Sequence, residues 1–231
     1  MPSDRDGADD RETGDDRVSR HVAPTTDRGL DRLVNFSDAV VAIAITLIIL
    51  PLVDTAQEYG GEPITEFLGA NATGLAAAAL SFVVIASFWR DHHRLFERTT
   101  GYSRALVSLN FVWLAGIVFL PLPTVLIVDA SGEDRGAAML YIGTMLVSMV
   151  AVRLQQLVID RDGLLSEQAA SGPRSRLLMW APTAFMLLAF VLAAVVPGLG
   201  TKALLLLLLS LPLSWLVGWR RSHRRAPRQA R

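Results

Sequence analysis

Apolar residues in this chain come in long blocks rather than in the alternating or three-to-four spacing of half-buried elements. Six blocks run 32–53, 67–89, 104–128, 136–158, 176–196 and 202–219. Each approaches the roughly 20 residues a helix needs to cross a hydrocarbon core about 30 Å thick. Leu204–Leu209 and Ala76–Ala79 are apolar on every side, without the polar face that a surface helix of a soluble bundle requires. The intervening segments are short and polar, and only residues 197–201 separate the fifth block from the sixth. Pro121, Pro123, Pro182 and Pro212 fall inside blocks, where membrane helices tolerate kinks if neighbours take up the freed carbonyls. The expected fold class is all-α, a polytopic membrane protein with six transmembrane helices. No repeat of 20–50 residues or of half the chain is visible.

Composition agrees with that reading: of 231 residues, 52% are hydrophobic and only 19% charged. Cysteine is absent, which excludes disulfides, thiolate catalysis and Cys-ligated metal. The net charge is zero, so nothing in the balance suggests a nucleic-acid partner.

Placement of charge says more. The segment after the first block carries Asp54, Glu58, Glu62 and Glu66 and no basic residue, and the next carries Arg90, Arg94, Arg98 and Arg104. Asp129, Glu133 and Asp134 then outweigh Arg135, and Arg153, Arg161, Arg174 and Arg176 follow. After the sixth block come six arginines from Arg220 to Arg231. Because Lys and Arg concentrate on the cytoplasmic side, the alternation predicts both termini in the cytoplasm. Three regions are expected: a polar, disordered tail over 1–31, a membrane domain over 32–219 and a basic tail over 220–231. The first tail is acidic and lacks the apolar core of a signal peptide.

The first block is the unusual one. It reads Arg32-Leu-Val-Asn-Phe36-Ser37-Asp38, then runs through Ile43, Thr46, Leu47 and Leu50 to Pro51. A carboxylate inside a span is costly, about 2.5–3.5 kcal/mol at mid-depth, so Asp38 needs partners. Arg32 lies about 120° away around the helix; Ser37, or a basic or His residue from another helix, fits better. A structural clamp and a direct ion or proton ligand both stay open. Arg32, Ala39, Ile43, Thr46, Leu47 and Leu50 share one helical stripe. On composition alone such a stripe is a helix–helix contact more readily than a pore wall. Asn110 and Ser148, polar residues inside spans, are expected to hydrogen-bond between helices.

The run Arg32-x-x-x-Phe36-Ser37-Asp38 with the following Ala-Val-Val-Ala-Ile-Ala-Ile-Thr46-Leu-Ile-Ile-Leu-Pro51 resembles the signature of the transmembrane protein 175 family. Phe88-Trp89-x-x-His92-His93-Arg94-Leu95-Phe96 is similar to the end of that family's second helix. The family comprises potassium-permeable channels of prokaryotes and of endosomal and lysosomal membranes. The resemblance implies a homotetramer in a prokaryotic cell membrane, with a central pore lined by the first helix and potassium ions as its cargo. It assigns the constriction to Ile43, Leu47 and Leu50 with the Thr46 hydroxyl beside them. It assigns bracing of the inner half of the helix to Arg32, Phe36, Ser37 and Asp38, with Trp89 and His93 as neighbours. No cofactor and no resident metal are implied.

Alternatives come from the same residues. His92, His93 and Asp38 allow a proton-conducting channel, against the simpler reading that the histidines sit at the headgroup interface. A proton- or cation-coupled secondary transporter would need charges in several spans and broken helices in paired positions. An enzyme is not expected, since no facing His, Asp, Glu or Ser–Lys set occurs inside the blocks.

Overall fold

The computed structural model describes residues 27–129, 135–166 and 176–195. The sixth block, the basic tail and residues 1–26 lie outside that set. Eight helices are described: α1 (Asp27–Leu47), α2 (Leu50–Gln57), α3 (Ile64–Ala70), α4 (Ala72–Phe96), α5 (Arg104–Phe119), α6 (Pro121–Asp129), α7 (Arg135–Arg161) and α8 (Arg176–Val195). No strand occurs among the described residues, only one isolated bridge between Thr99 and Leu165. Four stretches are long and apolar enough to cross a membrane: Arg28–Gln57, Ala72–Phe96, Arg104–Val128 and Arg135–Arg161. α8 carries the fifth predicted block.

Helix limits differ from the block limits for physical reasons. α1 starts at Asp27, five residues before the apolar block, because a helix can project polar turns beyond the bilayer. Two spans are broken, each at a proline. Pro51 has no N–H for the Leu47 carbonyl and its ring crowds that carbonyl, so the helix ends at Leu47 and restarts at Leu50. In the third span Pro121 cannot serve the Ile117 carbonyl, which takes the Leu120 N–H instead at 3.3 Å. Pro182 lies inside α8 without ending it.

The ends of the spans sort by side. α7 finishes with Gly163 at φ +68°, the left-handed conformation that glycine adopts without strain. That turn lets the Leu164 N–H return to the Ile159 carbonyl at 3.0 Å and packs Leu164 with Ile159 in a small apolar cluster, a Schellman-type stop. The chain then pairs with the segment after α4. Thr100 N–H donates to the Leu164 carbonyl at 2.8 Å and Ser166 N–H to the Arg98 carbonyl at 3.0 Å. Tyr102 from the same segment packs on Gly29 at the start of α1. At the opposite end Leu52 of α2 packs on Gly74 near the start of α4. The two Arg-bearing segments thus meet at one end of the bundle, beside the start of the first span.

Candidate functional site

α1 is held on one face only. Ser37, Val41, Ala44 and Ile48, spaced four, three and four apart, are buried. Val41, Ala44 and Ile48 join the core built from Ile85 of α4, Trp113 and Ile117 of α5 and Ile142 of α7. The opposite stripe has no cover among the described residues: Ile43 is 60% exposed, Leu47 41% and Leu50 49%. Thr46 lies in that stripe and is also exposed. Its hydroxyl donates to the Ile43 carbonyl at 2.7 Å, so what it offers away from the helix is oxygen lone pairs.

The buried face carries a polar chain. The Ser37 hydroxyl donates to the Leu33 carbonyl at 2.8 Å. Asn110 Nδ2 donates to Ser37 Oγ at 2.8 Å, and His92 Nε2 lies 2.7 Å from Asn110 Oδ1. Directions follow from the end of the chain, since a carbonyl can only accept. Ser37 spends its proton on Leu33 and must accept from the Asn110 amide, which leaves Oδ1 to accept from His92. The proton on His92 therefore sits on Nε2. His92 is 1% exposed, stacked on Trp113 with ring centroids 3.8 Å apart at 8°. The histidine is thus packed inside the bundle rather than on its surface. Asn110 bonds between helices as expected.

A second group holds the neighbouring face. Asp38 Oδ1 accepts from Trp89 Nε1 at 2.8 Å, so an indole N–H, rather than a hydroxyl or a cation, is its partner. His93 stacks on Trp89 at 5.1 Å and lies 3.4 Å from Glu97. Phe36, half-exposed, meets the Phe111 ring of α5 at 6.0 Å. Arg32 is exposed and makes no hydrogen bond or ion pair among the described residues.

The sequence reading missed a further polar chain in the half of the bundle away from the Arg-bearing segments. Ser81 Oγ lies 2.7 Å from Thr124 Oγ1 and 3.2 Å from Tyr141 Oη, and Thr124 donates to the Leu120 carbonyl at 2.9 Å. The same argument gives the order Tyr141 to Ser81 to Thr124 to Leu120, joining α7, α4 and α6 at the Pro121 break. Hydroxyls spaced along apolar blocks were the available signal. Ser148 differs from expectation: its hydroxyl bonds the Thr144 carbonyl of its own helix at 3.1 Å and packs on Gly116. Among the described residues no group of three or more His, Asp or Glu could hold a metal ion.

Residues 32–121 match the family described as endosomal/lysosomal potassium channel TMEM175. A potassium channel of Streptomyces collinus is 35% identical over 149 residues, covering 63% of this chain and 71% of that protein. A potassium channel of Chamaesiphon minutus is 31% identical over 147 residues, 60% of this chain and 70% of that protein. The fold matches the crystal structure of a lysosomal potassium-selective channel TMEM175 homologue from Chamaesiphon minutus. The TM-score is 0.60 at 24% identity, over 81% of this chain and 98% of that one.

Proposed function

This chain belongs to the TMEM175 family, and from that premise we propose that it is a passive, potassium-permeable cation channel. Four copies assemble around a shared axis, each contributing the uncovered stripe of α1 to a central pore. The observation that carries the reading is the one-sided anchoring of α1: Ser37, Val41, Ala44 and Ile48 are buried within the subunit, and Ile43, Thr46, Leu47 and Leu50 are left without cover among the described residues.

The mechanism follows from those side chains. Rings of Ile43, Leu47 and Leu50 form a narrow apolar constriction that blocks ions by dewetting when closed. When wider, it favours the ion that sheds part of its hydration shell most cheaply, which is potassium over sodium. Thr46 supplies oxygen lone pairs at the same depth. Asp54, Glu58 and Glu62 beyond the constriction raise the local cation concentration. Ser37 and Asp38, tied to Asn110, His92 and Trp89, fix the radius at which the stripe stands. Phe36 against Phe111 and His93 on Trp89 complete the brace; Arg32, assigned to it by the resemblance, makes no bond to it among the described residues. No span carries arginines at three-residue spacing, so conduction is leak-like rather than voltage-driven. The arginine-rich segments favour a cytoplasmic position for both termini, in a prokaryotic cell membrane.

The test is flux into liposomes under potassium and sodium gradients. Ile43→Asn is expected to raise sodium permeation relative to potassium. An unchanged ratio would remove Ile43 from the filter, and absence of gradient-driven potassium flux would overturn the channel reading. A pH-sensitive dye in the same vesicles reads proton flux separately.

A further inference from the structure

α1 has two flanks beside its uncovered stripe. Phe36 and Asp38 are two residues apart, so about 200° apart around the helix. Phe36 meets Phe111 of α5 at 6.0 Å, and Asp38 accepts from Trp89 of α4. The α5 flank carries an open groove of about 300 Å³, walled by Leu33, Phe36, Tyr102, Val107 and Phe111 with Arg32 at one end. Arg32 has no anionic partner among the described residues. The α4 flank carries Phe82, Trp89, His93 and, just past the helix end, Glu97. Their spacing of seven, four and four puts them on one helix face. That face is open: Phe82 is 49% exposed and Trp89 36%, and the side chains of His93 and Glu97 are 37% and 60% exposed. One flank is thus a groove ending in a free cation, the other a ridge of rings ending in a carboxylate.

In a closed ring about an axis along the spans, each copy sets one flank against the other flank of the next copy, and rotation keeps every residue at its depth. The bond between Asp38 and Trp89 fixes the levels. From it towards the Arg-bearing end, Arg32 lies about 9 Å along α1, and His93 and Glu97 lie about 6 and 12 Å along α4. Phe36 stands within about 3 Å of the Trp89 level. Resting on the ring of copies set out above, we propose that the groove between α1 and α5 seats the α4 ridge of the adjacent copy. Trp89 and His93 of that copy lie against Phe36 and Phe111, and its Glu97 carboxylate meets the Arg32 guanidinium, a fork suited to carboxylate oxygens. The other acids at this end sort by place. Asp31, seven residues before Asp38, is on the α4 flank of α1 at the depth of Arg32, and it joins Glu97 against the same guanidinium. Asp91 is about 200° around α4 from Trp89, near Arg153. Asp27 lies about 8 Å beyond Arg32 on α1, and Asp160 and Asp162, at the end of α7, belong to neither flank.

Cross-linking tests the contact, and the absence of cysteine keeps the background clean. Val107, on the groove wall, lies about 6 Å from Phe111 along α5, near the depth of Arg32. Val107→Cys and Glu97→Cys together in one chain, treated in liposomes with a short bis-maleimide, are expected to give a ladder from dimer to tetramer on a denaturing gel, because each copy links to both neighbours. Either cysteine alone is expected to leave monomer. A ladder from one cysteine alone, or none from the pair, overturns the proposal. The charge pair is read by native mass spectrometry of the detergent-purified protein. Glu97→Arg, which sets like charges face to face, is expected to weaken assembly by about fivefold, and adding Arg32→Glu to restore it; no recovery overturns the pairing of Arg32 with Glu97. Flux of the parent protein in the same liposomes separates the two failures. Potassium flux without a ladder leaves the channel reading standing, with its copies joined through other faces.

Discussion

Every link of the chain that ends on the Leu33 carbonyl is polarised, and the links depend unequally on Asn110. Asn110→Leu leaves the buried His92 Nε2–H without its acceptor, a loss of about 1–3 kcal/mol for an unsatisfied buried group. Ser37→Ala breaks one interhelical bond where Asn110→Leu breaks two; it leaves one buried Asn110 N–H without its acceptor and frees a carbonyl that still has its helical partner, so its loss falls at the lower end of that range. Unfolding in detergent should therefore rank Asn110→Leu as clearly more damaging; equal losses would contradict the assigned directions. At this scale the sequence was only partly legible. The FSD residues announced themselves by motif, whereas His92 and His93 were indistinguishable by type. Helical phase separates them: His92 falls eleven residues after Ser81 and seven after Ile85, on the buried stripe of α4, and His93 falls off it. The Trp89 partner of Asp38 belongs to another helix, and pairing between helices is set by tertiary geometry that no local spacing encodes.

Helix packing turns on how closely two backbones approach. Gly116 of α5 sits against Ser148 of α7, so that a Cβ on Gly116 would overlap the serine hydroxyl. That hydroxyl is fully buried and bonded to the Thr144 carbonyl, so it cannot swing away freely. Gly116→Ala is expected to destabilise by about 1–3 kcal/mol, as overpacking does. Adding Ser148→Ala removes the clashing atom and should recover most of that loss in thermal unfolding. No recovery would mean that the backbone contact, rather than the hydroxyl, limits the approach. The apolar blocks marked the elements well because hydrocarbon thickness dictates their length. The internal breaks were less legible: the first block runs through Pro51 to residue 53 without a break, and Pro121 reads as a tolerated kink. Each instead divides one span into two helices, because the missing N–H breaks the ladder there; at Pro121 the freed Ile117 carbonyl turns to the Leu120 N–H, a tighter turn that ends the first helix.

At the scale of the molecule, alternation of loop charge predicted which segments share a side, and the pairing of 98–100 with 164–166 brings two of the Arg-bearing segments together. Thr99 and Leu165 form the pair flanked, rather than joined, by the two hydrogen bonds, the closer kind of antiparallel pair with Cα atoms about 4.5 Å apart. That separation is within disulfide range. The chain has no cysteine, so Thr99→Cys with Leu165→Cys gives an unambiguous readout. Mild oxidation should close the bridge within one chain, seen as faster migration on a non-reducing gel. Failure to form it would separate the two segments. The number of subunits stayed outside what loop charge or block length can encode, because assembly is decided by the faces that a single copy leaves bare.

The two polar strings inside the bundle have one further consequence. In each, every donor points the same way and the last stops at a peptide oxygen, Leu33 in one and Leu120 in the other. A migrating proton needs a string whose members can all reverse and hand it onward at the far terminus; these are cul-de-sacs. Ordered this way, neither string offers a proton a through route among the described residues of a single copy.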